Sequence, residues 1–137
     1  MPTNSFTVKT NGHTDFVDIT DRVNKTVEKS GVKEGIVLVF ISGSTAAITT
    51  IEYETGALED FKEALEKIAP EEANYKHHKK WGDKNGAAHI KSALVGTDFI
   101  TPVVNGQLQL GTWQQIVLID FDEKPREREV IVKIVKA

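Results

Sequence analysis

The sequence predicts an α+β domain in which mostly antiparallel sheets pack against two or three helices. Three observations carry this. Residues Ile36 to Ile41 form an unbroken β-branched and aromatic run. The apolar residues Leu58, Phe61, Leu65 and Ile68 fall three or four apart, at helical spacing. An Asn105-Gly106 pair then separates two β-prone stretches, and more β-prone sequence follows to the C-terminus. The order β-α-β-β-α-α, followed by antiparallel strands, is that of an α+β fold.

The elements follow in chain order. Ser5 to Thr10 alternates polar and apolar residues, as a half-buried strand does, and Asn11-Gly12 supplies a turn. Thr20 is placed to cap a helix over 21–30, with Asp21 at its positive end, Val23 and Val27 four apart, and Ser30-Gly31 as its stop. The run 36–41 reads as a central strand covered on both faces. Ala46 to Glu52 is a second strand, closed by Thr55-Gly56. The helix over 57–69 has Glu59 and Asp60 in its first turn and ends at Pro70. Residues 71–85 are polar and read as irregular, and a long stretch of that kind is more often functional than idle. A helix over 87–95 follows Asn85-Gly86, presents Ala87, Ile90 and Leu94 to the core, and stops at Gly96. After the hairpin at Asn105-Gly106 come strands from Trp113 to Asp122 and from Glu127 to Val135, the last as a sheet edge or a subunit contact.

Composition narrows the function. With 137 residues, the chain is expected to form a single domain over 1–137. Hydrophobic residues at 39% and charged residues at 27% exclude a disordered chain. The run 36–41 is the longest apolar one, far short of the roughly 20 residues that span a bilayer, so no membrane partner is expected. No secretion signal opens the chain, which makes the expected location cytoplasmic. There is no cysteine, which removes disulfide, iron–sulfur and thiolate chemistry. A net charge of −3 provides no global field for a polyanion, and nucleic acid is an unlikely partner on that ground.

The densest set of chemical groups runs from Tyr75 to His89 and holds three of the four histidines. His77 and His89 are too far apart for one helix face, but a loop residue folded against the following helix would bring them together. Neutral imidazoles suit zinc or a similar divalent ion, and a carboxylate would complete an open site. His89 ranks first, because the positive end of its helix keeps a ring lone pair available. The plain alternative is a solvated basic loop. A third reading sets Lys76, Lys79, Lys80 and Lys84, with Tyr75 and Trp81, as a phosphate or single-strand nucleic-acid surface.

Other residues gain meaning only in context. The helix start at Asn85-Gly86, with Lys84 and Lys91 near it, suits an anionic group, although a capped, solvated terminus is the commoner outcome. Ser44 and Thr45, in the turn after 36–41, suit phosphate oxygens as well as ordinary turn chemistry; without a lysine the turn is not a P-loop. Glu52, at a strand end, becomes a general base or third ligand if it points toward His77 and His89. His13 reads as a surface residue. Trp113 reads first as core, and its indole with Gln114 as pocket lining second.

Gly43-Ser44-Thr45-Ala46-Ala47-Ile48, Glu52, Tyr75-Lys76-His77, Asp83-Lys84-Asn85-Gly86-Ala87-Ala88-His89, Pro102-Val103 and Leu110-Gly111-Thr112-Trp113-Gln114 together resemble the YjbQ family. The likeness covers nearly the whole chain in order. It implies a compact α+β domain, a homotrimer with pockets near subunit boundaries, and secondary thiamine-phosphate synthase activity, the weak condensation of a pyrimidine diphosphate with a thiazole phosphate. His77 and His89 match the family's histidines and would hold a divalent metal such as zinc. Glu52 matches its acidic residue and, with Asp83 and Asn85, would serve catalysis. Ser44, Thr45, Lys84, Trp113 and Gln114 would bind a small phosphorylated substrate. The chain departs from the pattern at Gly43, where many members carry histidine, and at His78, where many carry asparagine.

The expectation is therefore a metal-assisted enzyme acting on a small phosphorylated or heteroaromatic substrate. A binding module for an anionic metabolite or nucleic acid is the alternative from another class, and assembly alone is a third.

Overall fold

The computed structural model describes residues 3–137. Its elements are β1 (Thr3–Thr10), β2 (Asp15–Asp18), α1 (Thr20–Ser30), β3 (Glu34–Ile41), β4 (Ala46–Ile51), α2 (Thr55–Ile68), α3 (Lys76–Trp81), α4 (Gly86–Val95), β5 (Asp98–Val104), β6 (Gln107–Leu108), β7 (Gln115–Asp120) and β8 (Arg126–Lys136). The strands form a five-stranded sheet, β1-β8-β3-β5-β6, and a three-stranded sheet, β2-β7-β4. Every pairing is antiparallel. This is the predicted α+β class.

The small sheet is the middle layer. On one side, Ile48, Ile116 and Leu118 meet Val37, Val39 and Ile41 of β3, Val130, Val132 and Ile134 of β8, and Val23 and Val27 of α1. On the other, Ala47, Val117 and Ile119 meet Leu65 of α2 and Ala88 of α4. The strand covered on both faces is therefore β7, whose residues 116–120 are all buried, and not the run 36–41. Only alternate residues of β3 are buried, because none of the described residues covers the outer face of the large sheet. Ile36, Ile100, Val104 and Val135 stand exposed there, with Ile100 at 55%.

The structure corrects several other expectations. β8 lies between β1 and β3 and is no edge, since pairing on both sides fits its partly alternating pattern. Thr20 begins α1 without capping it; its hydroxyl donates to Asp18 Oδ1 and accepts from the Ile116 N–H. Thr55-Gly56 opens α2, because the Glu54 carboxylate caps the Gly56 and Ala57 amides; Glu59 and Asp60 thus fall after the first turn, and Ile68 ends up exposed. The stretch 71–85 contains α3. α4 is rotated from its expected face: Ala87, Ala88, Lys91 and Ser92 are buried, while Ile90 and Leu94 are exposed. That small-residue face lets the helix sit close to β4, where the Ser92 hydroxyl donates to the Ala46 carbonyl at 2.6 Å. The Asn105-Gly106 turn is as predicted, with φ of 53° and 76°, the double positive pair that a two-residue hairpin demands.

Candidate functional site

Gly82, at φ 72°, ends α3 in the left-handed conformation, and only Gly82 to Asn85 separate that helix from α4. α4 starts directly against α3: a Cβ on Gly86 would lie 2.6 Å from the Tyr75 Cβ, so only glycine permits the approach. The result is that His77 and His89 face each other with ring centroids 4.5 Å apart and planes tilted by 42°. Asp83 Oδ1 lies 3.5 Å from His77 Nδ1. These two atoms and Asn85 Oδ1 are buried, and none has a hydrogen-bond partner among the described residues.

His78 points to a different duty. Its Nε2 accepts the Gly86 N–H at 3.0 Å, which caps the start of α4 and commits that nitrogen. It therefore does not replace the histidine missing at position 43. Nor is position 43 vacant, since a Cβ there would lie 2.8 Å from Arg128 Nη1.

The sequence-predicted residues fall into two groups. Thr45 precedes β4 at the end where Ala46 pairs with Asp120. The Thr45 hydroxyl contacts Asp122, and Glu123 in turn accepts the Lys84 N–H, so Ser44, Thr45 and the 83–89 segment share this end. Contacts of α4 with β4 agree: Ser92 meets Ala46 and Gly96 meets Ile48, which leaves the start of α4 beyond Ala46. Glu52 follows the other end of β4, where Ile51 pairs with Gln115. Trp113 and Gln114 sit beside that end too. The six residues of β4 separate the groups by about 17 Å, at ~3.3 Å per residue. Within one chain Glu52 thus does not join the histidines.

Trp113 lies in a turn ahead of β7 and is 70% exposed, so it packs in no core. Gln114 Oε1 accepts the Gly111 N–H and shapes that turn. Lys91 is buried in an ion pair with Glu66, which removes it from any anion site; burial pushes the Glu66 carboxyl up, but Lys91 holds it below its ordinary value. Lys84, by contrast, lines a cleft of about 230 Å³ with Asn74, His78 and Glu123. His13 is at its rim, exposed and paired with Glu71.

The sequence reading missed a buried charged network beside Thr45. Arg128 donates through Nε to Asp120 Oδ2 at 2.7 Å and through Nη2 to Asp120 Oδ1 at 2.9 Å and to Thr45 Oγ1 at 2.6 Å. Thr45 in turn donates to Asp122 Oδ2, so its hydroxyl is already committed. Thr10 donates to Asp120, and Arg126 to Asp122. Burial pushes the Asp120 carboxyl up, yet Arg128, Thr10 and the Asp122 N–H outweigh it and hold Asp120 below the usual aspartate value. Asp122 is likewise pushed up by burial but held low by Thr45, the Glu123 N–H and Arg126. The Asp120 hydrogen bonds raise Arg128 above its ordinary value. The only sequence signal was the pairing of Asp120 and Asp122 with Arg126 and Arg128 across a short turn.

Comparisons with known proteins agree with this architecture. The family model described as "UPF0047 protein YjbQ-like" matches residues 4–137. A UPF0047 protein of Archaeoglobus fulgidus is 43% identical over 127 residues, covering 93% of this chain and 96% of that protein. One from Methanothermobacter thermautotrophicus is 36% identical over 132 residues, covering 96% and 90%. Among solved structures, a YbjQ-like protein of unknown function from Sulfolobus solfataricus superposes with a TM-score of 0.93 at 37% identity, over 99% of this chain and 97% of that one. A hypothetical protein from Aeropyrum pernix gives 0.92 at 33% identity, over the full length of both. The chain belongs to the YjbQ (UPF0047) family.

Proposed function

We propose that the chain is a cytoplasmic, metal-assisted enzyme acting on a small phosphorylated or heteroaromatic substrate at the cluster of His77, Asp83, Asn85 and His89. The observation that carries this is the pair of facing imidazoles, His77 and His89, with Asp83 Oδ1 3.5 Å from His77 Nδ1 and a buried Asn85 Oδ1 that has no hydrogen-bond partner among the described residues. An unpaired buried polar atom costs about 1–3 kcal/mol, so the Asn85 oxygen favours a ligand at this cluster.

The donor types fit a divalent ion such as zinc: two imidazoles as ligands, with Asp83 placed to orient His77. Among the described residues no three acidic or histidine groups enclose an ion by themselves, so its remaining positions fall to water, substrate or a neighbouring subunit. The ion would neutralise charge on phosphate oxygens. Lys84, next to Asp83 in the chain, would pair with the same phosphate, and Asp83, 3.5 Å from His77 Nδ1, would orient that ring. Secondary thiamine-phosphate synthase activity, with pyrophosphate as leaving group, is the reaction this arrangement is proposed to support. Ser44 lies exposed at the same end and Glu52 at the other, where a neighbouring subunit would bring Glu52, Trp113 and Gln114 to the histidines. A homotrimer is proposed on the uncovered outer face of the large sheet, where Ile36, Ile100, Val104 and Val135 form an apolar patch. No described helix is long and apolar enough to cross a membrane.

The test is pyrophosphate release from a pyrimidine diphosphate and a thiazole phosphate, with and without chelator. The expected result is release that chelator abolishes and that both His77→Ala and His89→Ala lose. Release unaffected in both variants overturns the assignment.

A further inference from the structure

A different part of the molecule carries a second site. Between the edge strand β1 and α1 runs a groove of about 560 Å³, larger than the cleft beside the histidines and within the ~300–1,000 Å³ typical of small-molecule sites. Its wall carries three cations, Arg22, Lys25 and Lys29, and not one carboxylate, in a chain whose net charge is −3. Phe6 and Ile134 supply an apolar floor.

The cations are gathered by helix periodicity. Arg22, Lys25 and Lys29 recur at i, i+3 and i+7 along one face of α1, while Val23 and Val27 turn into the core. Like charges three and four apart repel by a few tenths of a kcal/mol, so the stripe works against the helix unless something neutralises it. Asp21 and Glu28 share the helix, yet no ion pair reaches Lys25 or Lys29 among the described residues.

Arg22 is set in place. Its guanidinium carbon stands 4.1 Å over the Phe6 ring, and Nη1 donates to the Thr7 carbonyl at 2.9 Å. A guanidinium fixed by stacking presents its remaining N–H groups in a planar fork that suits phosphate. Arg22 and Lys29 lie two helical turns apart, about 10 Å along the axis, which is too far for one anionic group to touch both ends.

We infer that the groove between β1 and α1 binds a small polyphosphorylated compound, whose successive phosphates lie along Arg22, Lys25 and Lys29. Inorganic polyphosphates and nucleoside polyphosphates share that chemistry, and the two probes below distinguish them. This site is independent of the histidine cluster.

The test is titration of the full-length chain with inorganic pyrophosphate and with ADP at low salt, followed by calorimetry and by amide chemical shifts. Saturable binding is expected, with shifts in residues 4–6 and 22–30, weakening as salt rises. A Lys25→Glu/Lys29→Glu variant should bind at least about tenfold more weakly, since two of the three phosphate contacts reverse sign. Milder Lys25→Gln/Lys29→Gln substitutions keep the test valid if the reversal disturbs folding. Tighter binding of ADP than of pyrophosphate assigns a nucleotide; equal binding assigns the phosphates alone. Binding retained in His77→Ala/His89→Ala separates this site from the proposed active site. Absence of binding for both probes, unchanged affinity in the lysine variants, or shifts confined to residues 75–89 overturns the inference.

Discussion

Two buried polar clusters sit at the same end of the small sheet and differ in one respect. Around Arg128, the side chains of Asp120, Asp122, Thr10 and Thr45 all find partners, with Asp120 fully buried. Around His77, the Nδ1 and the Asp83 Oδ1 stand 3.5 Å apart without a hydrogen bond, and the Asn85 Oδ1 has no hydrogen-bond partner among the described residues. Burial of a charge is tolerable when opposite charge and hydrogen bonds surround it, and costly otherwise. The contrast separates the cluster that holds the fold from the one proposed to bind a ligand. The first ties β1, the turn before β4, β7 and β8 to each other; the second contributes little to stability by itself.

The largest effect that would break this comparison is on stability. Arg128→Ala takes the charge partner from the buried Asp120 carboxylate, so a loss of about 3–5 kcal/mol is expected. In a chain of this size that lowers the melting temperature by roughly 10–20 °C. His77→Ala should shift the same melting curve far less; equal losses from both variants, by thermal unfolding, would erase the distinction.

Next comes the response to ligand. Asp83→Ala removes the group placed to orient His77, and a partner lost at that position typically weakens metal binding by about 10–100-fold. Its stability should hold or rise slightly, because one unpaired buried oxygen is gone. Titration with zinc alongside urea denaturation reads both.

Acid sharpens the contrast further. Asp120 and Asp122 are held below their unfolded values in the folded chain. Their contribution is therefore complete above the ordinary aspartate range and is lost as pH falls through the lower folded values. Urea midpoints should stay flat down to that range and then drop, and Arg128→Ala should lose the flat region. A midpoint that declines steadily from neutral pH in the parent chain would contradict this.

The smallest effect on folding concerns the outer sheet face. Ile100→Lys should change the stability of the single chain by no more than about 0.5 kcal/mol, as an exposed substitution does. It should nonetheless convert the proposed trimer to a monomer in light scattering.

Local pattern told most of the fold. Helical spacing marked α2, the Asn105-Gly106 pair marked a hairpin, and both stand in the structure. The proximity of His77 and His89 was also readable, although His77 stands on α3 and not in the long irregular stretch expected over 71–85. What failed was whatever depends on a distant partner. Ile36 to Ile41 and Ile116 to Ile119 are equally apolar, and only the layering, small sheet in the middle, decides that the second is covered on both faces. The Ala-rich face of α4 is weakly hydrophobic, so the spacing of Ile90 and Leu94 pointed to the wrong side. Asp120 and Arg128 meet across the short turn from β7 to β8, but only the partners from β1 and the turn before β4, Thr10 and Thr45, show that the pair is buried, and no local signal encodes those. Glu52 was assigned by resemblance and on the condition that it points toward the histidines, and within one chain β4 runs away from them.

The direct test of the account is a zinc titration of the metal-stripped chain, followed by calorimetry, for the parent, His77→Ala and His89→Ala. The expected result is saturable binding of one ion per chain in the parent and its loss in both variants, with thermal stability in the absence of metal little changed. Binding that persists undiminished in both, or no binding by the parent, would contradict the claim that these imidazoles and their unpaired neighbours form a ligand site.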